Sequence, residues 1–352
     1  MSGEGGGVSL TVLLAIVGAL VLLAVVAHGA WSARKASPRR AEPVAEPPRV
    51  EPVLSRHDEP ELSADPAALP ELKITPRKLS ARLDPLIDAI APITLEAPVS
   101  GELALTHLPP SRRAGTKPFL IEGLNAESGD WELPASGQRY SEFQAGVQMA
   151  NRSGGLNQIE FSEFVQKLQG FADGIGGMVE VPDMIDVVNR ARELDGFAGE
   201  HDAQLAVNLR ANGAAWSVGY VQQCATRRGF VPGVLPGRLV QPSPDEGEPP
   251  VLVLSFDAQA ALADDPNIAA VRQVTLSLDV PQTPEAAEPF PAWHEVARTL
   301  AADMDAAVVD DQGRPITLHA FASIGEDLKV LYRKLEARDL AAGSTAARRL
   351  FS

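Results

Sequence analysis

The fold is decided by a pattern of apolar residues that occurs twice in this chain, in FSEFVQKLQGFADGI at residues 161–175 and in FPAWHEVARTLAADM at residues 290–304. Apolar residues in the first copy recur at helical spacing, and adding 129 to each number gives a second apolar helix face. The paired positions are Phe161, Phe164, Leu168, Phe171, Ala172 and Ile175, and then Phe290, Trp293, Ala297, Leu300, Ala301 and Met304. We expect each stretch to form an amphipathic helix that covers one face of a sheet.

The same offset extends to the elements around these helices. An alternating strand precedes each helix, with Ala145, Val147 and Met149 in the first copy and Val274, Leu276 and Leu278 in the second. A short apolar run follows at 178–181 and at 307–309, and further helical patterns cover 183–195 and about 321–338. A repeat of this kind predicts two α+β modules in tandem, which we place at 85–198 and 201–342.

Shorter patterns predict the remaining elements. In the first module, 90–95 and 119–124 are predicted as strands and 101–108 as a weak helix. In the second module, 205–209 alternates as a strand, 214–228 is helical, 231–240 is extended, and 251–256 is a continuous apolar β run. A turn is expected at 242–247, where Pro, Ser, Asp and Gly cluster.

The N-terminal region predicts a membrane anchor. Val8 to Ala27 contains no charged residue, and at about 1.5 Å per residue such a helix spans a bilayer core. Arg34, Lys35, Arg39 and Arg40 follow it, so we expect a transmembrane helix at 8–31, with 1–7 as a periplasmic tail and the modules in the cytoplasm. The alternative is a cleaved signal peptide, with a small-residue site at 27–29. Nine prolines between 36 and 76 predict a disordered linker over 32–80.

Composition and motifs indicate a binding protein and not an enzyme. The net charge of −15 argues against nucleic acid as a partner, because no basic stripe is present to neutralise phosphates. The six histidines include no pair at the spacing of metal ligands. We interpret Cys224 as a small packed side chain and not as a catalytic thiol. The glycines at 174–177 follow a helix, which favours a helix cap over a phosphate loop. We therefore expect neither a cofactor nor a catalytic site.

Several short motifs resemble the ZipA family of bacterial cell-division proteins. The anchor resembles ZipA from Val17-Gly18-Ala19 to Arg34-Lys35, and a proline-rich linker follows it, as in that family. Further matches, in family order, are Arg228-Gly229-Phe230 leading to Ser243-Pro244-Asp245, Val274-Thr275-Leu276 ending at Val280-Pro281, and Ala307 to Gln312. The resemblance implies a split β-α-β domain whose antiparallel sheet has helices on one face and, on the other, an apolar cleft for the C-terminal tail of FtsZ. The membrane implied is the cell inner membrane, with contacts to its lipids.

The resemblance also implies the residues of that cleft. They are Leu235 on the second strand, Leu252, Leu254 and Phe256 on the third, and Ser277 on the strand from 274 to 280. The family has a large aromatic residue at the position of Ser277 and an aliphatic one at Gly237. For Leu252, Leu254 and Phe256 the alternative is ordinary core, because the run from 251 to 256 does not alternate. The first module has polar residues on the corresponding surface and is interpreted as a degenerate copy.

Three functions therefore stay open. The first is an adaptor that tethers FtsZ polymers to the membrane. The second keeps the anchor but gives the modules another divisome protein as partner. The third is a structural spacer in which packed tandem modules bury both sheet faces. Exposure of the face that carries Leu252, Leu254 and Phe256 would favour a peptide receptor, and burial would favour the spacer.

Overall fold

A computed structural model describes residues 38–41, 83–244 and 247–352, and the chain divides into two compact units. The first unit contains 83–202 and 344–352 among these residues, and the second contains 38–41 and 203–343. The predicted transmembrane stretch and nearly all of the linker lie outside the described residues, apart from 38–41. Within the described ranges, no helix is both long enough and apolar enough to cross a bilayer.

The first unit is an antiparallel sheet with helices packed on it. Its elements are β1 (Asp88–Ser100), α1 (Gly101–His107), β2 (Arg113–Ala114), β3 (Lys117–Asn125), β4 (Trp131–Glu132), β5 (Arg139–Gln148), β6 (Ala150–Asn151), β7 (Gly154–Gly155), α2 (Gln158–Ile175), β8 (Gly177–Val179) and α3 (Met184–His201). The strands of the main sheet lie in the order β2-β3-β5-β1-β8, with β4 paired to β3. All of these pairs are antiparallel.

Helix α2 forms where its local signals predict. The Asn157 side chain accepts hydrogen bonds from the first turn, and Glu160 bonds back to complete a capping box. Gly176 ends the helix in the left-handed conformation, with φ 70°. The apolar stripe is buried against the sheet, where Phe164 meets Phe119 with ring centroids 5.5 Å apart. This burial of aromatic surface supplies much of the unit's hydrophobic stabilisation.

The second unit has the same architecture. Its elements are β9 (Gln204–Ala211), β10 (Trp216–Ser217), α4 (Val218–Thr226), β11 (Val231–Pro232), β12 (Arg238–Gln241), β13 (Leu252–Ser255), α5 (Ala258–Ala261), β14 (Ala270–Val271), β15 (Gln273–Asp279), a 3₁₀ turn (Glu285–Ala287), α6 (Pro289–Met304), β16 (Ala306–Val309) and α7 (Leu318–Glu336). Its main sheet has the order β11-β12-β13-β15-β9-β16, again antiparallel. Residues 38–41 join this unit, and Arg39 pairs with Trp216 and with Asp305.

The two sheets correspond strand by strand. The order β3-β5-β1-β8 in the first unit matches β13-β15-β9-β16 in the second. The offset of 129 carries the last residue of α2, Ile175, onto the last residue of α6, Met304, and the start of β8 onto the start of β16. The prediction of α+β architecture with antiparallel sheets and helices is confirmed.

Some elements differ from the predictions. The helix expected at 214–228 begins only at Val218, because Trp216 and Ser217 pair with β14. The extended segment at 231–240 is a hairpin of two short strands, β11 and β12. The chain ends in a helix that was not predicted, α8 (Thr345–Leu350), which belongs to the first unit. Six residues are too few for a periodic pattern to be recognised.

Candidate functional site

The sheet of the second unit has a covered face and an open face, and side-chain alternation assigns each residue to one of them. On the covered face Leu254 lies opposite Leu276, and Leu276 lies opposite Val207. Helix α6 packs on this face, and the indole nitrogen of Trp293 donates a hydrogen bond to the Leu276 carbonyl over 3.2 Å. The covered face is therefore the hydrophobic core of the unit.

Leu252 and Leu254 lie on the covered face and not in an open cleft. Both side chains are 0% exposed and belong to the core cluster under the helices. Placing them in the cleft was therefore wrong, and the alternative interpretation as ordinary core describes their position. Every residue from 251 to 254 is apolar, so the sequence pattern could not assign a face, and a shift of one residue moves the whole strand's side chains to the other side.

Leu235 and Phe256 also differ from their predicted positions. Leu235 lies in the turn between β11 and β12 instead of on a strand, and it is 59% exposed. Phe256 follows β13 and is half-buried against the core, with its amide bonded to the Gly237 carbonyl over 2.8 Å. Gly237 has φ +74°, and a Cβ there would lie 2.5 Å from the Phe256 carbonyl oxygen. Glycine is therefore required by the turn itself.

Ser277 does lie on the open face, in a row that crosses five strands and has Val253 at its centre. Val231 lies opposite Val240, Val240 opposite Val253, Val253 opposite Ser277, and Ser277 opposite Ala206. We call these residues the open row. Each is half-buried or exposed, in contrast to the covered face. The Ser277 hydroxyl donates to the Val253 carbonyl over 3.3 Å, so its polar group has a partner within the sheet.

The open row was missed because the apolar run in β13 concealed the alternation. One signal could have found it: in β15 the residues Val274, Leu276 and Leu278 alternate clearly, which assigns Ser277 to the opposite face. In the neighbouring antiparallel strand β13, Leu254 lies opposite Leu276. Its neighbour Val253 therefore lies opposite Ser277, on the open face.

A polar row runs beside the open row. The Thr275 hydroxyl donates to the Asn208 side-chain oxygen over 2.7 Å, and the Asn208 amide donates to Asp311 over 3.1 Å. Arg238 and Ser255 continue this row towards the hairpin. An apolar strip with hydrogen-bonding groups along one side is suited to an amphipathic peptide.

The equivalent face of the first unit has different chemistry. Asp88 and Gln148 lie opposite each other on the face away from α2, as do Glu122 and Gln144. Arg349, at the end of α8, binds Asp88 through both terminal guanidinium nitrogens at 2.8 and 2.6 Å, and its carbonyl accepts a bond from Gln148. This face is thus polar, and the C-terminal segment of the chain occupies one end of it.

Other candidate sites have structural explanations. Cys224 is buried, and burial raises the pKa of its thiol, which is the opposite of an activated nucleophile. Asp310 bonds to Arg314 within a turn, where the Arg314 amide and guanidinium lower the pKa of its carboxyl. Across the described part of the chain, no group of three or more His, Cys, Asp or Glu residues could hold a metal ion.

Comparison with known protein families gives a match within the second unit. Residues 262–327 match the family described as ZipA, C-terminal FtsZ-binding domain. The matched segment runs from the end of α5 into α7 and so includes β15, with Ser277, and the whole of α6. No curated protein matches the chain. The description of the matched family is that of a binding domain, not of an enzyme, and the match confirms the resemblance to ZipA over this segment.

Proposed function

We propose that this protein is a membrane-anchored cell-division adaptor whose second unit binds the C-terminal tail of FtsZ on its open sheet face. The observation that carries the proposal is the family match, which covers the central strand of that face together with the helix that supports it. In this proposal the helix at 8–31 crosses the inner membrane once, the N-terminus is periplasmic, and the linker at 32–80 holds the two units in the cytoplasm.

The dimensions of the open row suit a short helix. Five strands about 4.8 Å apart give a strip about 19 Å long, which matches about 13 residues of α-helix. Its side chains, three valines, a serine and an alanine, are small. Ser277 lies beside the central residue of the row, Val253, and the ZipA family has a large aromatic residue at the position of Ser277. We therefore expect weak binding, with a Kd in the micromolar range or above, because an aromatic anchor supplies much of the energy of such interfaces.

A titration tests the FtsZ assignment. A fluorescent peptide of the FtsZ C-terminal tail is titrated with the full chain in detergent micelles, and its anisotropy is measured. We expect saturable binding that Val253→Asp abolishes, because the new carboxylate would be desolvated in the middle of the strip. Val330→Asp is the matched control, since Val330 is an exposed valine on α7. Absence of saturable binding by the folded chain up to about 1 mM would refute the assignment.

A gain of affinity provides an independent test. Ser277→Phe restores the aromatic residue that the family has at this position. We expect the Kd for the peptide to fall by about tenfold, which corresponds to about 1.4 kcal/mol. Unchanged affinity in a correctly folded Ser277→Phe chain would mean that the peptide does not contact the open row at Ser277.

The membrane anchor is tested separately. The full chain should sediment with membranes and resist carbonate extraction, whereas a chain without residues 8–27 should not. Mass spectrometry of the purified protein distinguishes the anchor from a signal peptide, because cleavage near residues 27–29 would leave a shortened chain. A shortened chain would overturn the anchor while leaving the peptide-binding proposal intact.

Another divisome protein remains the second candidate partner. The small side chains of the open row favour it, because they lack the aromatic anchor associated with FtsZ binding in the ZipA family. Titration with the tail peptide separates the two candidates. The burial of Leu252 and Leu254 does not favour the spacer, because the helices of the same unit cover them.

A further inference from the structure

A cavity lies on the helical side of the second unit, away from the open face. It has a volume of about 470 Å³ and is formed by the 3₁₀ turn, the start of α6 and one side of α7. Its walls are largely apolar and include Pro289, Phe290, Phe321 and Leu328. A cavity of this size is in the range that binds small organic groups.

Tyr332 lines this cavity and has a buried, unpartnered hydroxyl. The side chain is 7% exposed, and among the described residues its hydroxyl has no hydrogen-bond partner. The two other tyrosines differ, because the Tyr140 hydroxyl bonds to the Ala135 amide and the Tyr220 hydroxyl donates to the Asp303 carbonyl. A buried hydroxyl without a partner is costly, so its retention beside a cavity points to a ligand that completes it.

Carboxylates surround the same cavity. Glu285, Glu288 and Glu326 line it together with one cation, Lys329, whose ammonium lies 2.8 Å from Glu326. Glu285 and Glu288 have no ion-pair partner among the described residues. Burial, and to a smaller extent the negative charge of Glu285, raises the pKa of the Tyr332 hydroxyl to about 12. The phenol is therefore neutral at physiological pH. Three carboxylates against one ammonium repel anions and attract cations.

We propose that this cavity binds an organic cation, an ammonium or guanidinium group on an apolar stem. The cation donates a hydrogen bond to the Tyr332 hydroxyl oxygen, and Glu285 supplies the counter-charge. Phe290 and Phe321 contact the stem, and aromatic faces also attract cations. Such a group could be a free amine or a basic side chain of a partner protein. The proposal is independent of the FtsZ assignment, because the cavity and the open row lie on opposite sides of the sheet.

The three tyrosines of the chain provide a direct assay. The full chain is labelled with 3-fluorotyrosine in detergent micelles, and Tyr332→Phe identifies the ¹⁹F resonance of Tyr332. The probes are 3-phenylpropylammonium and its neutral analogue 3-phenylpropan-1-ol. We expect the ammonium to shift the Tyr332 resonance saturably while Tyr140 and Tyr220 stay unchanged. A Tyr332 resonance that does not move, or that the alcohol moves equally, would overturn the proposal.

Charge variants and a peptide complete the test. Glu285→Gln should weaken ammonium binding about tenfold, whereas Glu193→Gln, which removes an exposed carboxylate from α3, should not. Equal effects of the two variants would show that only net charge matters and would refute the site. The blocked dipeptide acetyl-Phe-Lys-amide is compared with the free amine, and tighter binding of the peptide indicates a protein partner. Failure of both probes would refute the proposal.

Discussion

Replacing Arg349 by alanine should destabilise the first unit, although the residue lies only three positions from the end of the chain. Its guanidinium makes a two-pronged contact with Asp88, whose side chain is 0% exposed, while that of Arg349 is 22% exposed. The truncated side chain would leave the Asp88 carboxylate buried, with the Asp84 amide, at 2.9 Å, as its remaining hydrogen-bond donor among the described residues. The substitution therefore removes the charge that compensates a desolvated carboxylate.

The expected cost is about 3 kcal/mol. Breaking a buried ion pair by removing one partner costs about 3–5 kcal/mol, and we take the lower end because Asp84 still donates and Arg349 is partly exposed. For a unit of this size the loss corresponds to a fall in Tm of about 10 °C. Removing both partners, in Arg349→Ala with Asp88→Ala, should cost less than the sum of the single substitutions, because no buried charge is left unpaired.

Thermal unfolding followed by circular dichroism measures these shifts, and hydrogen exchange of the segment 344–352 assigns them to the first unit. Arg298→Ala is the matched control, because Arg298 also contacts a carboxylate, Glu295, through two nitrogens but on an exposed surface. Exposed pairs of this kind contribute little. A shift for Arg349→Ala no larger than that for Arg298→Ala would refute the reasoning.

Three further predictions concern both units. Leu254→Asp should unfold the second unit and abolish its near-ultraviolet circular dichroism, because the substitution buries a charge in the core. Val253→Asp should leave that signal intact, and the reverse result would mean that Leu254 lies on the open face and Val253 on the covered face. Gly237→Ala should lower the free energy of unfolding, measured in urea, by about 1–3 kcal/mol, because Gly237 has φ +74° and a Cβ there would clash with the Phe256 carbonyl oxygen. A Cβ at Gly213 would meet no atom within 4 Å, so Gly213→Ala should have little effect. Equal effects of the two substitutions would contradict the conclusion that the turn requires glycine at 237. Burial by itself would raise the pKa of Glu160, but hydrogen bonds from Thr116 and Asn157 outweigh it and lower the pKa below 4.5. The stabilisation from Glu160 is therefore present above pH 4.5 and is lost as the pH falls through the folded pKa. In urea titrations between about pH 7 and pH 3, the free energy of unfolding of Glu160→Gln should fall less steeply with pH than that of the unsubstituted chain, and identical pH dependence would exclude this role.

Helices and alternating strands were predictable because their signals are local. The apolar stripe of α2 and the capping pair Asn157 and Glu160 lie within one short segment, and they are sufficient to start and orient the helix. The alternation of Val274, Leu276 and Leu278 likewise assigns β15 to a half-covered sheet. The tandem repeat follows from the same local patterns, compared at a distance of 129 residues.

The candidate site was predicted only in part, because it depends on register. Ser277 was placed on the open face, while Leu252 and Leu254 were given to the same face and lie on the other. A run that is apolar on both faces carries no period, so its orientation is set by the strands paired with it. The Tyr332 cavity could not be predicted either, since α6 and α7 form it together with a 3₁₀ turn.

The sequence by itself determined the α+β class, the tandem repeat and the amphipathic helices, because periodicity and capping are properties of neighbouring residues. Only the tertiary structure decided which valines form the open row, where Leu235 lies, and that residues 344–352 return to the first unit. Each of these depends on pairing between residues far apart in the chain, such as Val253 with Ser277 and Asp88 with Arg349. The physical reason is that a side chain's burial is set by what packs against it, and that partner is chosen only when the chain has folded.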